Sequence, residues 1–143
     1  MSKSVLCEEK DNICLITLNE EDTRNAISPE IINELVSILE EIDNNKNISC
    51  AILTGAGKSF SSGGNLHEIN EMTENNNMSL RDIENWYRNG IQRIPMTFNK
   101  IDVPVIAAVN GHAIGAGNDL CTMCDIRIAV SYTHLTLPTT AYV

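Results

Sequence analysis

The chain has 143 residues, a formal net charge of −9 and 43% hydrophobic residues. That length suits one domain with a modest core, and the acidic balance argues against a nucleic-acid surface. No apolar run approaches the ~20 residues of a membrane span, and the first residues lack the apolar core of a secretion signal. A cytoplasmic protein with neither nucleic-acid nor membrane partners is therefore expected.

In chain order, residues 12–19 read as a strand and residues 20–25 as a polar loop. Ser28-Pro29 reads as a helix start, with serine as the cap and proline at the first helical position. Ile31, Leu35, Leu39 and Ile42, widened by Ile32 and Val36, make an apolar stripe that predicts an amphipathic helix packed on a sheet. A polar turn over 43–47 ends it. Residues 48–54 are almost continuously apolar, which predicts a strand covered on both faces. Strand, helix and strand at this spacing imply a right-handed parallel crossover. Residues 73–78 read as a polar, mobile loop. Ser79 and Asp82 resemble a capping box, and Leu80, Ile83, Tyr87, Ile91 and Ile94 predict a second long helix that Pro95 kinks or ends.

Two stretches carry chemistry. The apolar strand 103–109 runs into Asn110-Gly111, and glycines at 111, 115 and 117 lead into a helix beginning near Asp119. The first N–H groups of a helix have no internal acceptor, and its dipole makes that end positive. Residues 50–55 read as a buried strand followed by the Gly/Ser-rich loop 55–66. Two such strand ends can each aim one backbone N–H at the same oxygen, which is the layout of an oxyanion hole. Gly115-Ala116-Gly117 lacks the full spacing of a dinucleotide fingerprint. Cys121 and Cys124 form a C-x-x-C with neither a second ligand pair nor a redox-motif context, so they read as buried thiols sharing a helix face. No metal site is expected.

The loop 53–66, LTGAGKSFSSGGNL, resembles the first signature of the enoyl-CoA hydratase/isomerase (crotonase) family. Residues 104–129 resemble the second, and Arg24-Asn25-Ala26-Ile27-Ser28 matches the family's N-terminal motif. The resemblance covers roughly residues 10–130. It implies an α/β fold of the ClpP/crotonase type, a truncated β–β–α spiral. It implies an acyl-CoA thioester as substrate, no separate cofactor because coenzyme A belongs to the substrate, and assembly into homotrimers or hexamers. The implied chemistry is addition of water to a 2-enoyl-CoA. Enoyl- or dienoyl-CoA isomerisation and non-catalytic acyl-CoA binding stand as alternatives.

Carried over position by position, the resemblance makes the N–H groups of Gly64 and Ala116 the oxyanion donors, and Asp119 the first catalytic carboxylate where hydratases have glutamate. It places Arg24, Ala26, Ser62, Gly64, Asn65, Leu66, Gly115 and Ala116 along the CoA and acyl path. Asn65 stands where many relatives have aspartate. His67 and His112 read as a surface and a structural histidine. A second carboxylate is expected about twenty positions past Asp119, and residues 126–143 contain no Asp or Glu.

Residues 1–129 therefore read as the N-terminal part of a crotonase-like domain. Residues 131–143, SYTHLTLPTTAYV, contain no Asp, Glu, Lys, Arg or Gly. The segment 130–143 resembles the conceptual translation of a sequencing-adapter read-through. On this reading the chain is inactive and exposes an apolar face that promotes aggregation.

Overall fold

A computed structural model describes residues 3–66, 69–71 and 78–131, together with the backbone of residues 135 and 136. The loop expected over 73–77, His67 and most of the segment after 131 lie outside the described residues.

The main sheet has five strands in the order β1 (Val5–Lys10), β2 (Ile13–Leu18), β3 (Cys50–Gly55), β5 (Val105–Val109) and β7 (Ile126–Ala129). The β1–β2 pair is antiparallel and the others are parallel. Asp11 and Asn12, both at positive φ, close the β1–β2 hairpin as a two-residue turn of the type that matches strand twist. A second sheet contains β4 (Ser59–Ser61), β6 (His112–Ile114) and β8 (Leu135–Thr136), all parallel. The β3–β4 and β5–β6 crossings from the main sheet to the second carry Gly55, Gly57 and Gly111, and the α/β spiral expected from the sequence results.

Helix α1 (Pro29–Asn44) buries Ile31, Ile32, Leu35, Val36, Leu39 and Ile42. Its cap is as expected: the Ser28 hydroxyl accepts from Ile31 N–H at 3.2 Å, with Pro29 in the first turn. The core lies between α1 and one sheet face, formed by Cys14, Ile16, Leu18, Ala51, Leu53, Val105, Ala107 and Val109.

Three expectations need correction. Strand β3 is not covered on both faces, because its burial alternates residue by residue. The opposite face, carrying Leu15, Ile52, Ile106 and Ile126 in one row, is only partly covered. The second long helix is two helices. Helix α2 (Leu80–Asn89) stops at Gly90, whose φ −102° and ψ −117° are not helical, and α3 (Arg93–Phe98) follows. Pro95 is the third residue of α3, where its missing N–H sacrifices no intrahelical bond. The break takes Ile91 and Ile94 off the α2 stripe, so α2 buries no residue and Leu80 stays 88% exposed. The Gly-rich loops also contain β4 and β6, strands too short to show a pattern.

Helix α4 (Ala116–Met123) completes the described fold. Arg127 donates to the carbonyls of Cys124, Thr122 and Cys121 at 3.0–3.5 Å, placing a cation at the negative end of α4. Asp125 accepts from Val105 N–H at 2.8 Å and ties the chain leaving α4 to β5.

Candidate active site

The two Gly-rich loops meet edge to edge. Gly63 has φ +93°, and a Cβ built on it would stand 2.5 Å from the Ile114 carbonyl oxygen and 3.4 Å from Ala116 N. Only glycine tolerates both that φ and that approach. A Cβ on Gly117 would likewise fall 2.6 Å from the Ser61 carbonyl oxygen, so the start of α4 lies directly on β4. The peptide preceding Gly64 and the first peptide of α4 are thus neighbours, although Gly64 and Ala116 lie 52 positions apart.

Both N–H groups are free to receive a ligand. Ala116 is the first residue of α4, with Gly115 as its cap, and the Gly115 carbonyl is taken by Asn118 and Asp119 N–H at 2.8 and 3.0 Å. An N–H at that helical position has no intrahelical acceptor. Among the described residues neither Ala116 N–H nor Gly64 N–H is engaged. Both residues are half-buried and line one cavity of about 1340 Å³.

Asp119 lines the same cavity one turn into α4. Its carboxylate is exposed and has no hydrogen-bond or ion-pair partner among the described residues. It is therefore available to exchange protons with a bound molecule.

Ala26, Ser62, Asn65, Leu66 and Gly115 line the large cavity as well. Arg24 does not. It borders a separate depression of about 170 Å³ with Glu21, Ala56, Lys58 and Ser59, and its backbone carbonyl accepts from Ser62 N–H at 2.9 Å. His112 is exposed on β6 and absent from the cavity wall. Sequence reasoning missed several wall residues. Ile32, read as core, is buried in the core at 7% exposure and also lines the cavity. Trp86 and Tyr87 of α2, packed edge to face with centroids 4.9 Å apart, also line the cavity, as do Met123 and Arg93. Of the aromatic pair only Tyr87 lay on the predicted apolar stripe, and nothing in its spacing distinguished a cavity wall from a core stripe.

Cys121 and Cys124 are buried, as expected. Burial pushes the Cys121 thiol up to about 11 against the opposing charge of Arg127, and the Cys124 thiol up to about 12. No group of three or more potential metal ligands occurs among the described residues.

The family model for enoyl-CoA hydratase/isomerase matches residues 8–142, a span that includes the segment set apart at 130–142. YngF of Bacillus subtilis, assigned by name to the enoyl-CoA hydratases/isomerases, is 39% identical over 142 residues, 98% of this chain and 52% of its own length. The short-chain-enoyl-CoA hydratase of Clostridium acetobutylicum is 34% identical over 90% of this chain and 47% of its own. A solved enoyl-CoA hydratase subunit from Geobacillus kaustophilus superposes with a TM-score of 0.80 at 28% identity, covering 92% of this chain and 49% of that one. The chain spans about half the length of the curated relatives it matches. With three motifs in register, two apposed Gly-rich loops and a matching spiral, the chain belongs to the enoyl-CoA hydratase/isomerase family.

Proposed function

We propose that this chain binds a 2-enoyl-CoA thioester and polarises its carbonyl between the N–H groups of Gly64 and Ala116. The observation that carries the reading is the side-by-side placement of these two unengaged donors on a cavity wall. Two preorganised donors draw electron density onto the thioester oxygen. The β-carbon becomes electrophilic toward water, and the α-carbon can hold the resulting charge as an enolate. A single such donor is worth about 10²–10³-fold in rate in a water-poor site. Asp119 supplies or removes the proton. The apolar wall of Ile32, Trp86 and Met123 takes the acyl group, and the residues from Ser62 to Leu66 take the pantetheine side.

In the full reaction, hydration uses a second carboxylate to place the water. Residues 126–143 carry none, which favours binding and α-proton exchange by this chain over complete hydration. Isomerisation, in which a carboxylate moves a proton between carbons, is the second reading, with Asp119 as that carboxylate. Assembly into trimers or hexamers, a cytoplasmic location and a role in fatty-acid metabolism belong to the same reading and rest on the family resemblance.

The test is a difference absorption spectrum of a conjugated 2-enoyl-CoA mixed with the chain. Polarisation moves the enoyl-thioester band to longer wavelength. Saturable binding with that movement supports the reading, and binding without it, or no binding, overturns it.

We also propose that residues 130–143 do not derive from the family's gene, on the strength of their composition. Genomic sequencing across codons 125–145 tests this. A genome that continues through the segment unchanged would overturn it.

A further inference from the structure

Asn25 is fully buried, sits at φ +58°, and does not line either cavity. Its carboxamide joins two loops distant in sequence. Oδ1 accepts from Glu20 N–H at 3.0 Å, within its own loop. Nδ2 donates to the Ala56 carbonyl at 3.0 Å and to the Ser59 carbonyl at 2.9 Å, across to the loop that precedes Gly64. Both donor hydrogens are therefore spent on backbone. The Asn25 carbonyl accepts from Ser61 Oγ at 2.7 Å, and that oxygen accepts from Gly63 N–H at 3.2 Å.

Two residues further on, Ile27 N–H donates to the Gly63 carbonyl at 2.8 Å. The Gly63–Gly64 peptide is trans and planar, so its carbonyl and N–H point in opposite directions. Holding the carbonyl against Ile27 turns the Gly64 N–H away from Ile27. We propose that Asn25 is a positioning residue for the Gly64 donor: its carboxamide fixes the loop that carries Ile27, and Ile27 fixes the peptide that aims the Gly64 N–H. The inference rests on the reading of Gly64 as an oxyanion donor.

The requirement is specific to asparagine. The short amide tolerates a left-handed backbone and offers two donors opposite two carbonyls. An Asn25→Asp substitution keeps the shape and the acceptor but sets a carboxylate against the Ala56 and Ser59 oxygens. An Asn25→Gly substitution removes the staple while accommodating φ +58° without strain, so it retains the fold where the charged replacement does not.

The 143-residue chain and its Asn25→Gly variant are titrated with but-2-enoyl-CoA carrying ¹³C at the thioester carbonyl. The readout is the downfield displacement of the carbonyl resonance at saturation, a property of the bound ligand that does not depend on how much protein is folded. The expected result is a displacement in the unsubstituted chain that falls by about half or more in Asn25→Gly, with Kd changed by less than about threefold. A full displacement in a variant that binds shows Asn25 to act on stability alone and overturns the inference while leaving the Gly64 reading intact. No displacement in the unsubstituted chain overturns that reading and the inference with it.

Discussion

Gly63 and Ala116 touch across the site: a Cβ on the glycine would stand 3.4 Å from the alanine nitrogen. This approach brings two strand-to-loop junctions together. Gly63→Ala also meets the Ile114 carbonyl oxygen at 2.5 Å and requires φ +93° of an L residue. The substitution is expected to cost about 1–3 kcal/mol of stability and to abolish the spectral shift of a bound enoyl-CoA. Thermal unfolding and the difference spectrum check the two effects separately.

Asp119→Asn should separate chemistry from folding. The side chain is exposed and has no partner among the described residues, so stability should move by less than about 0.5 kcal/mol. Loss of the acid–base group should slow exchange of the substrate's α-protons with deuterated water by about 10²–10⁴-fold. Proton NMR of a saturated acyl-CoA incubated with the chain measures this.

The thiols give a pH signature. Burial lifts Cys14 to about 12, Cys121 to about 11 and Cys124 to about 12, from a usual value of 9.0. Their folded-state pKa values are raised, so the folded protein holds protons that the unfolded chain has lost. The associated stability is complete below about pH 9 and declines as pH rises toward 11–12. At pH 8 a thiol reagent should modify exposed Cys7 first and Cys50 more slowly, reaching the other three only after unfolding. Mass spectrometry of the labelled chain, with and without denaturant, counts them.

The uncovered sheet face predicts self-association. Leu15, Ile52, Ile106 and Ile126 align across four strands, and Ile126 and Ile128 on β7, an edge of the described sheet, are 54% and 63% exposed. Such a face next to an open edge invites pairing with another chain. Ile126→Thr combined with Ile128→Lys should lower the sedimentation coefficient at high concentration. An unchanged concentration dependence would show that this face is not the contact.

Much of the framework was readable because it obeys simple periods. The Ser28 cap, the α1 stripe and strands β2 and β3 combine propensity with burial, and each occurs where expected. Strands β1, β4, β6 and β7 were not readable. Three of these four have at most four residues or no buried face, and β1 depends on the Asp11-Asn12 turn more than on any apolar alternation. Helix α2 misled because its stripe of Leu80, Ile83 and Tyr87 is not buried, and the helix ends at Gly90 before Ile91 and Ile94 can extend it. The candidate donors were legible through their glycines and the family resemblance. The role argued for Asn25 was not, since one buried carboxamide bonding backbone 31 and 34 residues away leaves no mark in the sequence.

The central claim is that Gly64 and Ala116 together grip a thioester oxygen. The most direct measurement is a titration of the ¹⁵N-labelled chain with but-2-enoyl-CoA, following the amide protons of both residues. Joint downfield movement of the two resonances, saturating at the same ligand concentration as the enoyl spectral shift, is the result expected. Saturable binding that leaves both amides unmoved would contradict the account.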